Sequence, residues 1–205
     1  MQFDLTQSAA FLALLDPTTT EFCFQTFDDD KSNGRIKRSE LADVLSGNLD
    51  QHAGELKRLS EQGAGIFVSV NATDGRGRRL ANITRLRAIF QEADDLTAPV
   101  PPLEPHIVVG SSPGKFHRYW LIDAATEPSY TDWTAVMRRM IADWGSDPDA
   151  KDVSRVLRLP GFPHQKDPNN PHMVRLVAKS NRVPYRWDEI TAVIPPLPLP
   201  PSPPP

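Results

Sequence analysis

A single cysteine, Cys23, among 205 residues has no partner for an internal disulfide, so this fold does not rest on cross-links, and the composition suits a reducing cytosol. Long hydrophobic runs are also missing. The opening MQFDLTQSAAFLALLDP has no basic flank and its apolar residues are interrupted by polar ones, which excludes a signal peptide or a spanning helix, so no membrane partner is expected. Nor is there an excess of positive charge. Lys and Arg total 23 against 26 Asp and Glu, a net charge of -3, which excludes nucleic-acid binding through the bulk field and leaves only a local basic patch for it. No internal repeat is present. The chain reads as a cytosolic protein.

What is there is the ordinary content of a globular domain, with 39% apolar and 24% charged residues. Helical spacing predicts a helix over Thr6 to Leu15, stopped by Asp16-Pro17, and aromatic alternation predicts a strand over Glu21 to Phe27. The polar DDDKSNGR reads as a loop. A helix from about Asn48 to Gln62 leads through two glycines to a buried strand, GIFVSVNA, and after the charged turn DGRGRR comes a second, LRAIFQEADD. HIVVGSS and FHRYWLID pair as a hairpin about Pro113-Gly114. Tyr130 to Trp144 is an amphipathic helix, His172 to Ala178 a strand, and Trp187 to Val193 a short helix. This order predicts an α+β (mixed α/β) fold, with one domain over residues 1–194. The remaining 195–205 read as an extended polyproline spacer: eight of the twelve residues in IPPLPLPPSPPP are proline, which fixes φ and removes the backbone donor. Such a spacer leads us to expect a further domain beyond it, or a truncated chain.

Three stretches carry chemistry. On a strand, residues two apart share a face, so Glu92 and Asp94 of FQEADD form an oxygen pair suited to Mg²⁺ or Mn²⁺; a merely solvated acidic strand end has the same composition. In SSPGKFHRYW, the hydroxyls of Ser111 and Ser112, the turn's N–H groups, Lys115 and His117 suit a phosphate ligand, although a surface hairpin with a lone histidine also fits. KDVSRVLRLPGFPHQK places Lys151, Arg155, Arg158 and Lys166 against Asp152 alone, a basic patch in an acidic chain. Arg155 and Arg158 fit a phosphate backbone or a triphosphate. Asp152 is either a third metal ligand or a partner for Arg155.

The order FQEAD, SSPGKFHRYW, DVSRVLRLPGFPHQK resembles the archaeo-eukaryotic primase superfamily, in particular the RepB-type plasmid and phage primases, from about FCFQTF to the strand after His172. The resemblance implies an N-terminal α/β unit and an RRM-like unit with the active site between them. It also implies two divalent ions, Mg²⁺ or Mn²⁺, held by Glu92, Asp94 and Asp152, and a nucleotide held by His117, with Ser111, Ser112 and Lys115 beside it. Arg155 and Arg158 would serve nucleotide or template, and Lys166 the template. The implied activity is primer synthesis from nucleoside triphosphates on single-stranded DNA, alongside a helicase or a further domain of the same protein. Two positions depart from the pattern: Glu92 stands where the family usually has Asp, and Lys115 where many relatives have a small residue.

Other readings follow from the same residues. A non-catalytic initiator module would bind single-stranded DNA through the Arg155 to Arg182 patch and aromatic stacking, but would need no carboxylates at a phosphate site. Asp29 to Glu40 mimics a calcium loop, yet Lys31 and Lys37 occupy ligand positions. A nicking relaxase would want a tight histidine pair, which His164 and His172 do not offer.

Overall fold

In the computed structural model, which describes residues 2–30, 36–94 and 97–198, the chain opens with helix α1 (Leu5–Leu15), N-capped by the Asp4 carboxylate. β1 (Phe22–Asp28) follows, and β2 (Asp43–Gly47) returns beside it. Helix α2 (Leu49–Glu61) begins at a capping box in which Asn48 accepts the Gln51 N–H and the Gln51 side chain accepts in return. The chain then forms β3 (Ala64–Ser69), the small pair β4 (Ala72–Thr73) and β5 (Ile83–Arg85), and β6 (Ala88–Ala93). β7 (Ile107–Ser112) and β8 (Lys115–Leu121) make the predicted hairpin, and helix α3 (Tyr130–Trp144) follows it. β9 (Val156–Arg158), the pair β10 (Pro163–His164) and β11 (His172–Met173), β12 (Arg175–Lys179) and helix α4 (Trp187–Val193) complete the order.

Two four-stranded antiparallel sheets result, one in the order β2-β1-β3-β9 and the other β12-β7-β8-β6. Helix α2 packs on the first sheet, α1 on β7 and β12, and α3 on β6. This is the mixed α/β architecture that the order of elements predicts. β1 is buried along nearly its whole length, because its central place leaves neither face in water. Its polar residues are satisfied internally: Gln25 Nε2 donates to the Thr26 and Asp43 carbonyls, and Thr26 Oγ1 to that of Leu41.

Apolar residues from both sheets form one cluster, with Trp120, Trp133, Tyr119, Phe11, Phe24 and Phe90 fully buried, each of the larger ones worth roughly 1.5–3 kcal/mol. Trp133 Nε1 donates to the Ala88 carbonyl at 2.9 Å, which fixes α3 over β6. Beneath α1, buried Asp16 pairs with Arg85 and, at 2.7 Å, with buried Arg87, whose guanidinium lies 4.9 Å from the Phe22 ring. Burial disfavours the charge of Arg87 and lowers its pKa, with the hydrogen bond to Asp16 opposing it.

Three differences from the sequence reading have physical causes. β2 and β9 lie at sheet edges and exist by pairing with β1 and β3, so neither carries a strong apolar pattern of its own. The strand expected over His172 to Ala178 is divided, because β11 pairs with β10 whereas β12 pairs with β7. The proline-rich segment is held to α3 at its start: Arg139 Nε donates to the Pro195 carbonyl at 2.9 Å and the Leu197 N–H to that of Ala135 at 3.0 Å. Its remainder, 199–205, lies outside the described residues, as do 31–35 of the calcium-like loop and Asp95. Among the described residues no helix is long and apolar enough to cross a membrane.

Candidate active site

The second sheet supplies one wall of a cleft of about 650 Å³. Register places Glu92 on β6 opposite His117 on β8, and Ser112 opposite Lys115 across the hairpin turn. That turn needs glycine: Gly114 has φ of 75°, a region that side chains with a Cβ seldom enter. Asp94 follows the last residue of β6, and its carboxylate accepts from Lys115 Nζ at 2.8 Å. Edge alternation therefore delivers an acidic pair and a cation to the same rim.

The first sheet supplies the facing wall. Arg155, just before β9, reaches across to Glu92 in a bidentate pair, Nε at 2.6 Å and an Nη at 3.0 Å, with Asp147 at 3.7 Å behind it. Arg158, on β9, makes a second bidentate pair with Asp29 just past β1, at 2.9 and 2.6 Å, and lies 4.7 Å from the Phe67 ring centroid. Asp29 also accepts the Gln165 backbone N–H at 2.7 Å. Glycine at 65 leaves room for this pair; a Cβ there would stand 2.9 Å from the Asp29 carboxyl carbon and 3.0 Å from Arg158.

Burial sets the protonation states. It pushes the Glu92 carboxyl up, against the pull of the Arg155 hydrogen bonds and with Asp147 and Asp94 adding negative charge. Burial also disfavours the charge of Arg155, but the bonds to Glu92 prevail and raise its pKa. Burial, reinforced by Arg158 and Arg155, drives His117 down to about 3, so it is neutral at ordinary pH. His164 is likewise lowered by burial and by Arg158. Its Nδ1 lies 2.9 Å from the Ser111 carbonyl, which can only accept, so Nδ1 carries the proton. The Nδ1 of His117 and the Nε2 of His164 are buried without a hydrogen-bond partner.

All ten residues expected at the site line this one cleft: Glu92, Asp94, Ser111, Ser112, Lys115, His117, Asp152, Arg155, Arg158 and Lys166. Their pairings were not foreseen. The Arg155 guanidinium engages Glu92 rather than the Asp152 carboxylate, which accepts instead from the Ser154 N–H and hydroxyl. Arg158 is committed to Asp29. The sequence reading missed Asp29, Phe27, Phe67, Arg78 and His164, which also line the cleft. Asp29 stood at the acidic exit of an aromatic strand, the same signal that marks Glu92 and Asp94, but lay inside the calcium-like loop. Carboxylate oxygens are the donors a hard divalent cation takes. Among the described residues, however, no three His, Cys, Asp or Glu side chains stand together as a metal cage.

Two four-stranded antiparallel sheets that meet over this cleft form a fold of the archaeo-eukaryotic primase type. The family model described as the RepB DNA-primase N-terminal domain matches residues 77–197, more than half of the chain, and the protein belongs to that family. A replication protein of Clostridium perfringens is 26% identical over 159 residues, covering 66% of this chain and 38% of its own, so the chain spans well under half of that relative. The primase-polymerase (PrimPol) AEP domain of cyanophage S-2L superposes with a TM-score of 0.73 at 22% identity, over 95% of this chain and 100% of that one. The catalytic domain of primase RepB', solved in complex with initiator DNA, gives 0.61 at 17% identity, over 93% and 90%.

Proposed function

We propose that this chain is the catalytic domain of a primase-polymerase that joins nucleotides from nucleoside triphosphates on a single-stranded DNA template. The observation that carries this reading is that the acids at the end of β6 and in the segment before β9 share one cleft with Lys115 and His117 of the β7–β8 hairpin. Glu92, Asp94 and Asp152 would hold Mg²⁺ or Mn²⁺, and two such ions would supply a more acidic 3′-hydroxyl and charge neutralisation on the triphosphate.

The chain's own residues do the remainder. Lys115 on Asp94 and Arg155 on Glu92 hold the carboxylates' charge within the protein, and the same donors fit phosphate oxygens. An incoming triphosphate would draw Lys115 and Arg155 off and leave the acids free. Neutral His117 donates a hydrogen bond to a phosphate oxygen without adding charge, while Ser111, Ser112 and the Gly114 turn add donors. Arg158, locked by Asp29, shapes the wall, and exposed Lys166 at the rim is open to template or phosphate.

The test is a gel assay with a single-stranded template, Mg²⁺ or Mn²⁺, and ribo- or deoxynucleoside triphosphates in turn. Metal-dependent extension that is lost in Asp94→Ala is the expected result. Template binding without extension under every condition would overturn the reading in favour of a non-catalytic single-stranded-DNA-binding initiator module.

A further inference from the structure

A second cavity, of about 860 Å³, opens beside the cleft between the β2 strand and the turn of residues 74–79. Its lining contains Arg76, Arg78 and Arg79 and no acidic residue, in a chain whose net charge is -3. Arg76 and Arg79 are exposed and make no ion pair within 4.0 Å with any described residue, although the exposed Asp74 carboxylate on the same turn interacts with Arg76 through its backbone N–H and its charge. Three arginines against one carboxylate on one short turn leave a net positive charge that attracts anions.

That turn is braced rather than loose. The Asp74 carboxylate accepts the Arg76 N–H at 2.9 Å, and the Asn82 side-chain oxygen accepts that of Arg79 at 3.1 Å. The Asn82 amide donates back to Asp74, and the Asp74 N–H donates to the Asn82 carbonyl. Gly75 and Gly77, with φ of 75° and 152°, take conformations that other residues avoid. The frame thus uses its backbone donors internally and presents the Arg76 and Arg79 side chains outward, so the backbone has little order left to gain on binding and only the side chains are immobilised.

Arg78 joins this groove to the cleft, because it lines both. Its Nε donates to Gln25 at 2.5 Å, and its guanidinium lies 5.7 Å from the Phe27 ring. Ser154 lines the groove while its hydroxyl donates to Asp152, which lines the cleft. The groove lining has no aromatic ring on which a base could stack, so recognition there falls on phosphates.

We propose that this groove takes the phosphate backbone of single-stranded DNA, without sequence preference, and leads it past Arg78 into the cleft. The proposal rests on reading the cleft as a site of templated synthesis, but its test does not require synthesis. Fluorescence anisotropy with the whole chain and a labelled single-stranded oligonucleotide would compare wild type with Arg76→Ala/Arg79→Ala over a range of salt. The double variant should bind about tenfold more weakly near physiological salt, with a log–log salt slope shallower by about 1.4, or roughly 0.7 for each phosphate left without its arginine. Nucleoside triphosphate binding should be unchanged, Arg76→Lys/Arg79→Lys should keep most of the slope, and Arg58→Ala, an exposed arginine on α2 outside the groove, should bind DNA as wild type. Wild-type DNA affinity in the alanine double variant overturns the proposal. So does weakened triphosphate binding with DNA binding intact, which would make the groove a nucleotide subsite. If the DNA results hold while the wild type never extends a primer, the groove stands and the reading of the cleft falls.

Discussion

The cleft contains the same chemical unit twice, a bidentate arginine on a carboxylate, and the two copies differ in how completely they are enclosed. Asp29 and Arg158 retain 3% and 12% side-chain exposure, Asp29 accepts a further N–H from Gln165, and Arg158 lies over Phe67. Glu92 and Arg155 retain 16% and 26%, with Asp147 and Asp94 adding negative charge nearby. The more enclosed pair ties β1 to β9 and holds its arginine at both Nη groups. A half-open pair in surplus negative charge can give up its arginine to a phosphate. Identical pairing is thus sealed at one wall and half-open at the other, and on the proposed function only the half-open pair takes part in chemistry.

The largest expected effect separates the pairs by activity. On the proposed function, Glu92→Ala and Asp94→Ala should each lower primer synthesis about a thousandfold or more, since losing a ligand of the proposed metal site forfeits several kcal/mol. Asp94→Ala should also keep stability within about 1 kcal/mol of wild type, because its pair with Lys115 is exposed. Gel assay and urea denaturation on the same preparations read both.

Next comes stability at the other wall. Asp29→Ala strands a buried Arg158 and should cost about 3–5 kcal/mol in urea denaturation. A loss as small as that of Asp94→Ala would erase the distinction between the pairs.

A pH series sharpens the comparison further. The folded-state value of His117 is about 3 against an ordinary 6.5, so between these the unfolded chain binds a proton that the folded chain does not. Stability should therefore fall as pH drops from about 6.5 toward 3, with His106, His164 and His172 contributing in the same sense. Glu92 acts oppositely: its raised value means that its contribution declines as pH rises above the ordinary glutamate value of 4.5. His117→Asn should flatten the acid limb, and an unchanged limb would remove His117 from the set of buried neutral groups. Denaturation midpoints across this range provide the measurement.

The smallest effect concerns neither wall. Ending the chain after Ile194 removes the Arg139–Pro195 and Leu197–Ala135 hydrogen bonds and should cost about 1–2 kcal/mol, read as a small shift in Tm, with synthesis retained.

Much of the fold was legible where the cause is local. The helical spacing from about Asn48 to Gln62, the Pro113-Gly114 turn and the amphipathic face of Tyr130 to Trp144 each act within a few residues, and the elements appear close to their expected bounds. β2 and β9 were not legible, because an edge strand is stabilised by its neighbour more than by its own side chains. The site divides along the same line. Alternation put Glu92 beside Asp94 and Lys115 beside His117, but the role of Asp29 depended on a partner elsewhere in the chain.

By itself, then, the sequence determined which titratable and polar residues line the strands and which face of each strand they occupy, since the two-residue period of a strand is a property of the backbone. Only the tertiary structure decided their partners. Arg155 meets Glu92 across 63 residues and Arg158 meets Asp29 across 129. Neither pairing is implied by spacing, because each requires the two sheets to be brought together over one core, and that closure also determined which carboxylate was sealed in and which was left half-open to the cleft.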